Sequence, residues 1–375
     1  MTRRSRRVLA ALLGLLITMV LPATPARADS VREAEWQLGF LDLARVHQIS
    51  QGDGVTVAVL DSGVNGNHPD LAGNVLQGVN VFPGHPGNGW EDADPHGTAM
   101  AGLIAGHGHG ANDGVLGVAP RAKVFPVLLD AGLTKGNASE LAAGIDQAVQ
   151  RGAQVISMST GVPGGSSELR AAVERAEQAN VVLIAATGNL PEDKDGVAWP
   201  ARYSGVVAVG AVDRNGVHAA ISVTGPQIMI SAPGVDVVST SSGNGYQKGT
   251  GTSDATAIVA GVVALIRSKY PNLSATEVIH RLTATARDAG TPGRDPEYGY
   301  GIVNPYAALT ADVPTQSPSA PATQPSSASP TAPHKAPGNG GRTGLVVLVA
   351  LVAIGFFATI WLRRAAARYR RSLDR

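Results

Sequence analysis

With no cysteine among its 375 residues, the chain can form no disulfide. Its stability must come from packing or bound ions, and a chain of this length buries enough surface for that. No Gly-x-Ser-x-Gly surrounds any serine, which removes the nucleophile-elbow esterases. There is no internal repeat, and no dense acidic loop of the calcium-binding kind. The expectation is therefore no cofactor and no metal, with a structural calcium ion left open. Net charge is also small, at +1. That figure averages over segments of different fate. Setting aside five arginines near the start and six at the end leaves 19 of the 30 basic residues against 28 of the 29 acidic ones, a charge of −9. Such a balance argues against nucleic acid or an anionic membrane surface as a partner.

What is present begins at the two ends. Arg3, Arg4, Arg6 and Arg7 precede the apolar run Val8 to Leu21 and then Ala26-Arg27-Ala28, the pattern of a secretory signal peptide over 1–28. Near the other end, Leu345 to Leu362 are 18 residues without a charge, close to the roughly 20 that cross a bilayer core. Arg363, Arg364, Arg368, Arg370 and Arg371 follow. The positive-inside rule keeps this tail in the cytoplasm and the larger part outside. Val313 to about Arg342 is rich in Pro, Ser, Ala and Thr and ends at Gly338 to Gly341, a composition that tethers rather than folds. The expected organisation is a signal peptide at 1–28, an N-terminal extension at 29–52 and a folded domain at 53–311. A linker at 312–343, a membrane helix at 344–362 and a basic tail at 363–375 complete it.

Inside the folded part, Val55 to Leu60, Lys123 to Leu128, Val155 to Ser159, Val181 to Ala186 and Val206 to Val212 have the length and β-branched content of strands buried on both faces. Ser139 to Arg151 and Ser167 to Gln178 carry helical spacing, and Ser274-Ala-Thr-Glu277 has capping-box spacing. The alternation predicts a three-layer α/β fold with a mostly parallel sheet flanked by helices. Ligands of such a fold gather at the carboxyl ends of the strands, where Asp61 sits.

Three residue types there suit acyl transfer. Gly251-Thr-Ser253 delivers a serine to the first turn of an apolar helix, whose free amides and positive pole favour an anionic intermediate. His96 opens a small-residue helix as a candidate base, and Asp61 ends a strand as a candidate carboxylate to hold the imidazole. Taken singly, Asp61 is as well explained as a turn residue and His96 as a local helix-start histidine. Asn189, after the buried run Val181 to Ala186, is by default a turn residue, yet its amide could donate to an oxyanion.

With these in the order Asp, His, Asn, Ser, the chain resembles the subtilisin family of serine endopeptidases. The matching stretches are Val57-Ala-Val-Leu-Asp-Ser-Gly63, His96-Gly-Thr-Ala-Met-Ala-Gly102, Gly117-Val-Ala-Pro120, Ala185-Ala-Thr-Gly-Asn189, Ala208-Val-Gly-Ala-Val212, Ser231-Ala-Pro-Gly234 and Gly251-Thr-Ser253. The resemblance implies a subtilisin-like fold, with Asp61 orienting His96, His96 as general base and Ser253 as nucleophile. It makes Asn189 and the Ser253 amide the oxyanion hole. It places Ser159, Thr160 and Gly161 on one wall of the first specificity pocket and Ala186, Thr187 and Gly188 on the other. Leu128 to Leu133 would form the opposite edge for a substrate that binds as an added strand.

The leader, the short extension with Trp36-Gln-Leu-Gly-Phe-Leu, the tether and the single span resemble the mycosins, membrane-anchored proteases associated with type VII secretion. That likeness implies an N-terminal segment packed on the protease domain, protein substrates, and partners in a membrane secretion complex. The alternative is a catalytically weak domain that serves such a complex by contact. Two residues depart from the family pattern: Asp254 stands where an apolar residue is usual and Ala257 where proline is usual. His107 and His109 suggest a metal pair, but in a glycine-rich loop the expectation is solvated side chains. Asp92 and Asp94 are read as a solvated acidic loop, the alternative being an effect on His96.

Overall fold

Runs of Val, Ile and Ala form strands without polar alternation when helices cover both faces of a sheet. In the computed structural model, which describes residues 30–314 apart from 83, 92–93, 111 and 130–136, that is what they do. The strands β1 Thr56–Asp61, β2 Val79–Asn80, β3 Lys123–Leu128, β4 Val155–Met158, β5 Val182–Ala186, β6 Val206–Val212 and β7 Ile228–Pro233 make one seven-stranded parallel sheet. Its order is β2-β3-β1-β4-β5-β6-β7, so β1 lies inside the sheet, with Asp61 paired to Leu128 of β3. The sequence placed the first strand one residue early. Val55 donates instead to the Gly52 carbonyl in the preceding turn.

The helices are α1 Ser30–Ala34, α2 Trp36–Phe40, α3 Leu43–Val46, α4 His96–Ala105, α5 Ala138–Gln150, α6 Ser167–Gln178, α7 Thr252–Lys269, α8 Ala275–Ala284 and α9 Pro305–Thr310. Asn137 and Ser166 cap α5 and α6 by accepting the amides of Ser139 and Leu169. The Asn137 cap starts α5 one residue before the sequence-based boundary. The capping box of Ser274 and Glu277 is formed at α8.

Successive side chains on a strand point to opposite faces, and that divides the core in two. Val57 and Val59 of β1 belong with Met100 and Ile104 of α4 and Ile258 and Val262 of α7. Ala58 and Leu60 belong with Leu141 and Ile145 of α5 and Leu169 and Val173 of α6. Helix α7 is buried from Thr252 to Arg267, which its all-round apolar sequence permits. A Cβ on Gly261 would lie 2.6 Å from the Val118 Cβ, so this close approach needs glycine.

The segment before β1 is held onto the domain. Trp36 Nε1 donates to the carbonyls of Val235 and Asp236 at 3.2 and 3.1 Å, and Gln37 Nε2 donates to the Val238 carbonyl at 3.1 Å. An antiparallel hairpin, β8 Val237–Thr240 with β9 Tyr246–Gly249, was not expected from sequence. It is fixed to α4 by Ser239 and Thr240, whose hydroxyls donate to the carbonyls of Ala99 and Thr98. The leader, linker, membrane run and basic tail lie outside the described residues. Among the described residues no helix is long and apolar enough to cross a membrane.

Candidate active site

Asp61 is the last residue of β1, and the sheet buries it to 5% exposure. Its Oδ1 accepts the Ser62 amide at 2.8 Å and lies 2.8 Å from His96 Nδ1, while Oδ2 is buried without a partner among the described residues. His96 is the first residue of α4, and the turn before it is tied back to β1. The Ser62 hydroxyl donates to the Asp94 carbonyl at 2.8 Å and accepts the Gly97 amide at 3.0 Å, and the Asp94 carboxylate accepts the His96 amide. The Nδ1–H donated to Asp61 leaves Nε2 as the reactive nitrogen, and among the described residues Nε2 has no hydrogen-bond partner. Burial pushes the imidazole pKa down, but the Asp61 charge and hydrogen bond, then Asp254 and Asp94, outweigh it and hold it at about 9. Asp94 thus corrects the reading of a merely solvated loop: it is exposed, yet it bonds the helix start and acts on His96. Asp92 lies outside the described residues.

Ser253, 8% exposed, occupies the first turn of α7. Its hydroxyl donates to the Ser159 carbonyl at 2.9 Å, and the Ser159 hydroxyl donates back to the Ser253 carbonyl at 3.1 Å. In this structure the serine proton is therefore engaged with Ser159 rather than His96. Asn189, after β5, is oriented by Thr252, whose amide donates to Oδ1 at 2.9 Å. Its Nδ2 donor is left without a partner among the described residues and lies beside Gly251, 3.4 Å from where a Cβ would stand. Gly188, at φ +103°, makes this turn, and a Cβ there would crowd the Asp193 carboxylate that accepts the Asn189 amide.

The two expected pocket stretches follow hydrogen-bonded neighbours in the sheet. Met158 of β4 pairs with Ala185 of β5, so Ser159, Thr160 and Gly161 leave the sheet beside Ala186, Thr187 and Gly188. Ala198 and Trp199 join them: the Ala198 amide donates to the Thr187 carbonyl, and Val162 and Trp199 exchange backbone hydrogen bonds. A Cβ on Gly161 would lie 2.8 Å from the Ala198 Cβ. On the far edge Leu128 ends β3, and the Leu129 amide donates to the Asp61 carbonyl; 130–133 lie outside the described residues.

Sequence reasoning missed Ser62 and Thr252, which orient the histidine turn and the asparagine. No spacing rule marks either; each acts through a contact formed by folding. In the glycine-rich loop both histidines are exposed, as expected, but each ring also has a protein partner. His109 Nδ1 lies 2.6 Å from Oδ1 of the fully buried Asp70, whose Oδ2 accepts the Val115 amide at 2.8 Å. His107 lies against the carbonyls of Gly108 and Ala72. The two rings thus go to separate protein partners. Glu35, from the N-terminal segment, is buried beside this loop and accepts the Leu116 amide at 3.1 Å. Among the described residues no group of three or more His, Asp or Glu side chains is arranged to hold a metal ion.

A family model described as the subtilase family matches residues 52–301. A thermostable alkaline protease of Halalkalibacterium halodurans is 42% identical over 270 residues, covering 72% of this chain and 72% of its own. Subtilisin DY of Bacillus licheniformis is 39% identical over 260 residues, 69% of this chain and 92% of that one. Among solved structures, MycP1 from Mycobacterium smegmatis matches with a TM-score of 0.65 and 30% identity, covering 79% of this chain and 88% of that one.

Proposed function

The chain belongs to the subtilase family and is a serine endopeptidase similar to mycosins, and on that premise we propose that Asp61, His96 and Ser253 are its catalytic triad. The reading is carried by the Asp61–His96 hydrogen bond at the carboxyl end of β1, which leaves Nε2 without a partner among the described residues. For reaction, the Ser253 hydroxyl leaves the Ser159 carbonyl and turns to that nitrogen. His96 takes its proton as the oxygen attacks the scissile carbonyl. Asn189 Nδ2 and the Ser253 amide receive the oxyanion; Asn189 is held ready because Thr252 already occupies its carbonyl end. His96 then protonates the leaving amine, and water repeats the sequence on the acyl-enzyme. The chemistry so written uses no cofactor, and a structural calcium ion is left open.

Ser159 to Gly161 and Ala186 to Gly188 are assigned to the walls of the first specificity pocket. The enzyme is exported and anchored, with the signal peptide at 1–28, the extension at 29–52 and the peptidase domain at 53–311. The linker at 312–343, the membrane helix at 344–362 and the cytoplasmic tail at 363–375 follow. Apolar runs and flanking arginines support that topology, and the likeness to MycP1 supports an association with type VII secretion.

A second reading, a contact role with weak catalysis, is favoured by one observation: the Ser253 hydroxyl is engaged with the Ser159 carbonyl rather than with His96. Fluorophosphonate labelling of the full chain separates the two. Labelling of the wild type that Ser253→Ala abolishes supports the triad; a wild type that never labels overturns it. Secretion that survives Ser253→Ala but not deletion of the protein makes contact the essential role.

A further inference from the structure

The first turn of α7 is fastened on two sides, and the fastenings differ. On the β5 side Thr252 is bonded to Gly188 and to Asn189 Oδ1, and the nucleophile takes no part. On the β4 side the nucleophile itself is engaged. Ser253 and Ser159 are both buried and exchange hydrogen bonds, the Ser253 hydroxyl donating to the Ser159 carbonyl at 2.9 Å and the Ser159 hydroxyl to the Ser253 carbonyl at 3.1 Å. Such a reciprocal pair fixes two backbones and one rotamer together, because turning either hydroxyl away gives up a buried hydrogen bond. A carbonyl is no base, so a serine held on it lacks the activation that an adjacent base supplies.

The Ser159 carbonyl also opens a short stretch of unpaired backbone. Among the described residues the amides and carbonyls of Thr160 and Gly161 make no backbone hydrogen bond, and pairing resumes where Val162 and Trp199 exchange theirs. Thr160 and Gly161 are partly exposed. Unpaired extended backbone at the rim of a site accepts an added strand, whose amides pair with carbonyls such as that of Ser159.

We propose that Ser159 is a positioning residue that keeps the nucleophile at rest: its carbonyl and hydroxyl together hold Ser253 off His96, and a peptide substrate releases the serine when its own backbone amide takes the Ser159 carbonyl. The inference rests on the triad reading. Hydrogen bonds balance in the exchange. The substrate amide replaces the serine hydroxyl on the carbonyl, and the hydroxyl turns to His96 Nε2, which has no partner among the described residues. The nucleophile is thus presented to a bound peptide backbone and withheld from small acylating agents that bring no amide.

The test compares two peptide anilides as substrates of the full chain, identical except that one is N-methylated at the amide of the residue whose carbonyl is attacked and so has no proton for Ser159. N-methylation should lower kcat by about two- to tenfold, the worth of one hydrogen bond, because the serine stays held. A rise in KM with kcat unchanged marks a plain binding contact and overturns the inference. Ser159→Ala breaks one half of the pair. It should narrow that kcat gap and speed labelling by a small fluorophosphonate, again by about two- to tenfold, while Ser159→Thr, which keeps the hydroxyl, stays near wild type. Slower labelling of Ser159→Ala per folded molecule overturns the inference. A crystal structure of the free full chain reads the rotamer without any variant: Ser253 Oγ on the Ser159 carbonyl supports the resting state, and Oγ within hydrogen-bond distance of His96 Nε2 overturns it. If wild type cleaves neither anilide and never labels, the triad reading fails; turnover with equal kcat for both anilides overturns the role of Ser159 alone.

Discussion

Two aspartate–histidine pairs lie in this domain with nearly the same local geometry. Nδ1 lies 2.8 Å from the carboxylate in Asp61–His96 and 2.6 Å in Asp70–His109, the imidazoles being 38% and 42% exposed and both carboxylates buried. The surroundings differ. Asp70 is saturated: Oδ2 accepts the Val115 amide, and its own amide donates to His68 Nδ1, whose Nε2 in turn donates to the Gly245 carbonyl. The bonds to His109, Val115 and Gly245 tie one loop to another. Asp61 keeps Oδ2 free and stands at a strand end beside the helix that carries Ser253. An aspartate that orients a histidine is therefore no signature of catalysis by itself. What would make it one is a nucleophile in reach, the role proposed for Ser253.

The comparison breaks most sharply at the carboxylates. Asp61→Asn should lower kcat/KM for a peptide substrate by about 10³–10⁴, because the amide favours the wrong tautomer of His96. Its thermal midpoint should stay close to wild type. Asn189→Ala should come next, lowering kcat by about 10²–10³ with KM little changed, if its Nδ2 serves the developing oxyanion as proposed. Asp70→Ala should show the opposite profile. It orphans the Val115 amide and should cost about 1–3 kcal/mol of stability by denaturant titration, with kcat/KM per folded molecule unchanged. Equal losses of activity at Asp61 and Asp70 would erase the distinction.

A smaller effect belongs to Glu35, beside the structural pair. Burial outweighs the Leu116 amide and Arg32 and raises its pKa from 4.5 to about 8. The folded state thus keeps a proton that the unfolded chain loses, and the stability it gives is full below about pH 4.5 and fades as pH rises through about 8. Glu35→Gln should flatten the pH dependence of the thermal midpoint across that window. If wild type shows no slope there, Glu35 is ionised in the fold.

Much of the architecture was legible because the signals were local. Lys123–Leu128 and Val206–Val212 became strands at the expected residues, and Ser167–Gln178 a helix, since burial on both faces demands continuous apolar runs and caps need particular side chains. The hairpin of β8 and β9 was not legible. Tyr246-Gln-Lys-Gly249 is polar and short, and what stabilises it is its partner strand and the Ser239 and Thr240 bonds to α4. The strand at Ile228–Pro233 showed in the sequence only as the tail motif Ser231-Ala-Pro-Gly234.

The same division runs through the active site. By itself the sequence determined which residues are chemically able to act: the acid at a strand end, the histidine and serine at helix starts, the asparagine at a turn. Such positions follow from hydrophobic period and glycine placement, which are properties of neighbouring residues. Only the tertiary structure decided that Asp70 is tied to His109, that Thr252 aims Asn189, that the Ser253 hydroxyl rests on Ser159, and that Asp254 is buried against Gly249. Charge state and orientation depend on groups brought together from distant parts of the chain, and no local pattern records which groups those will be.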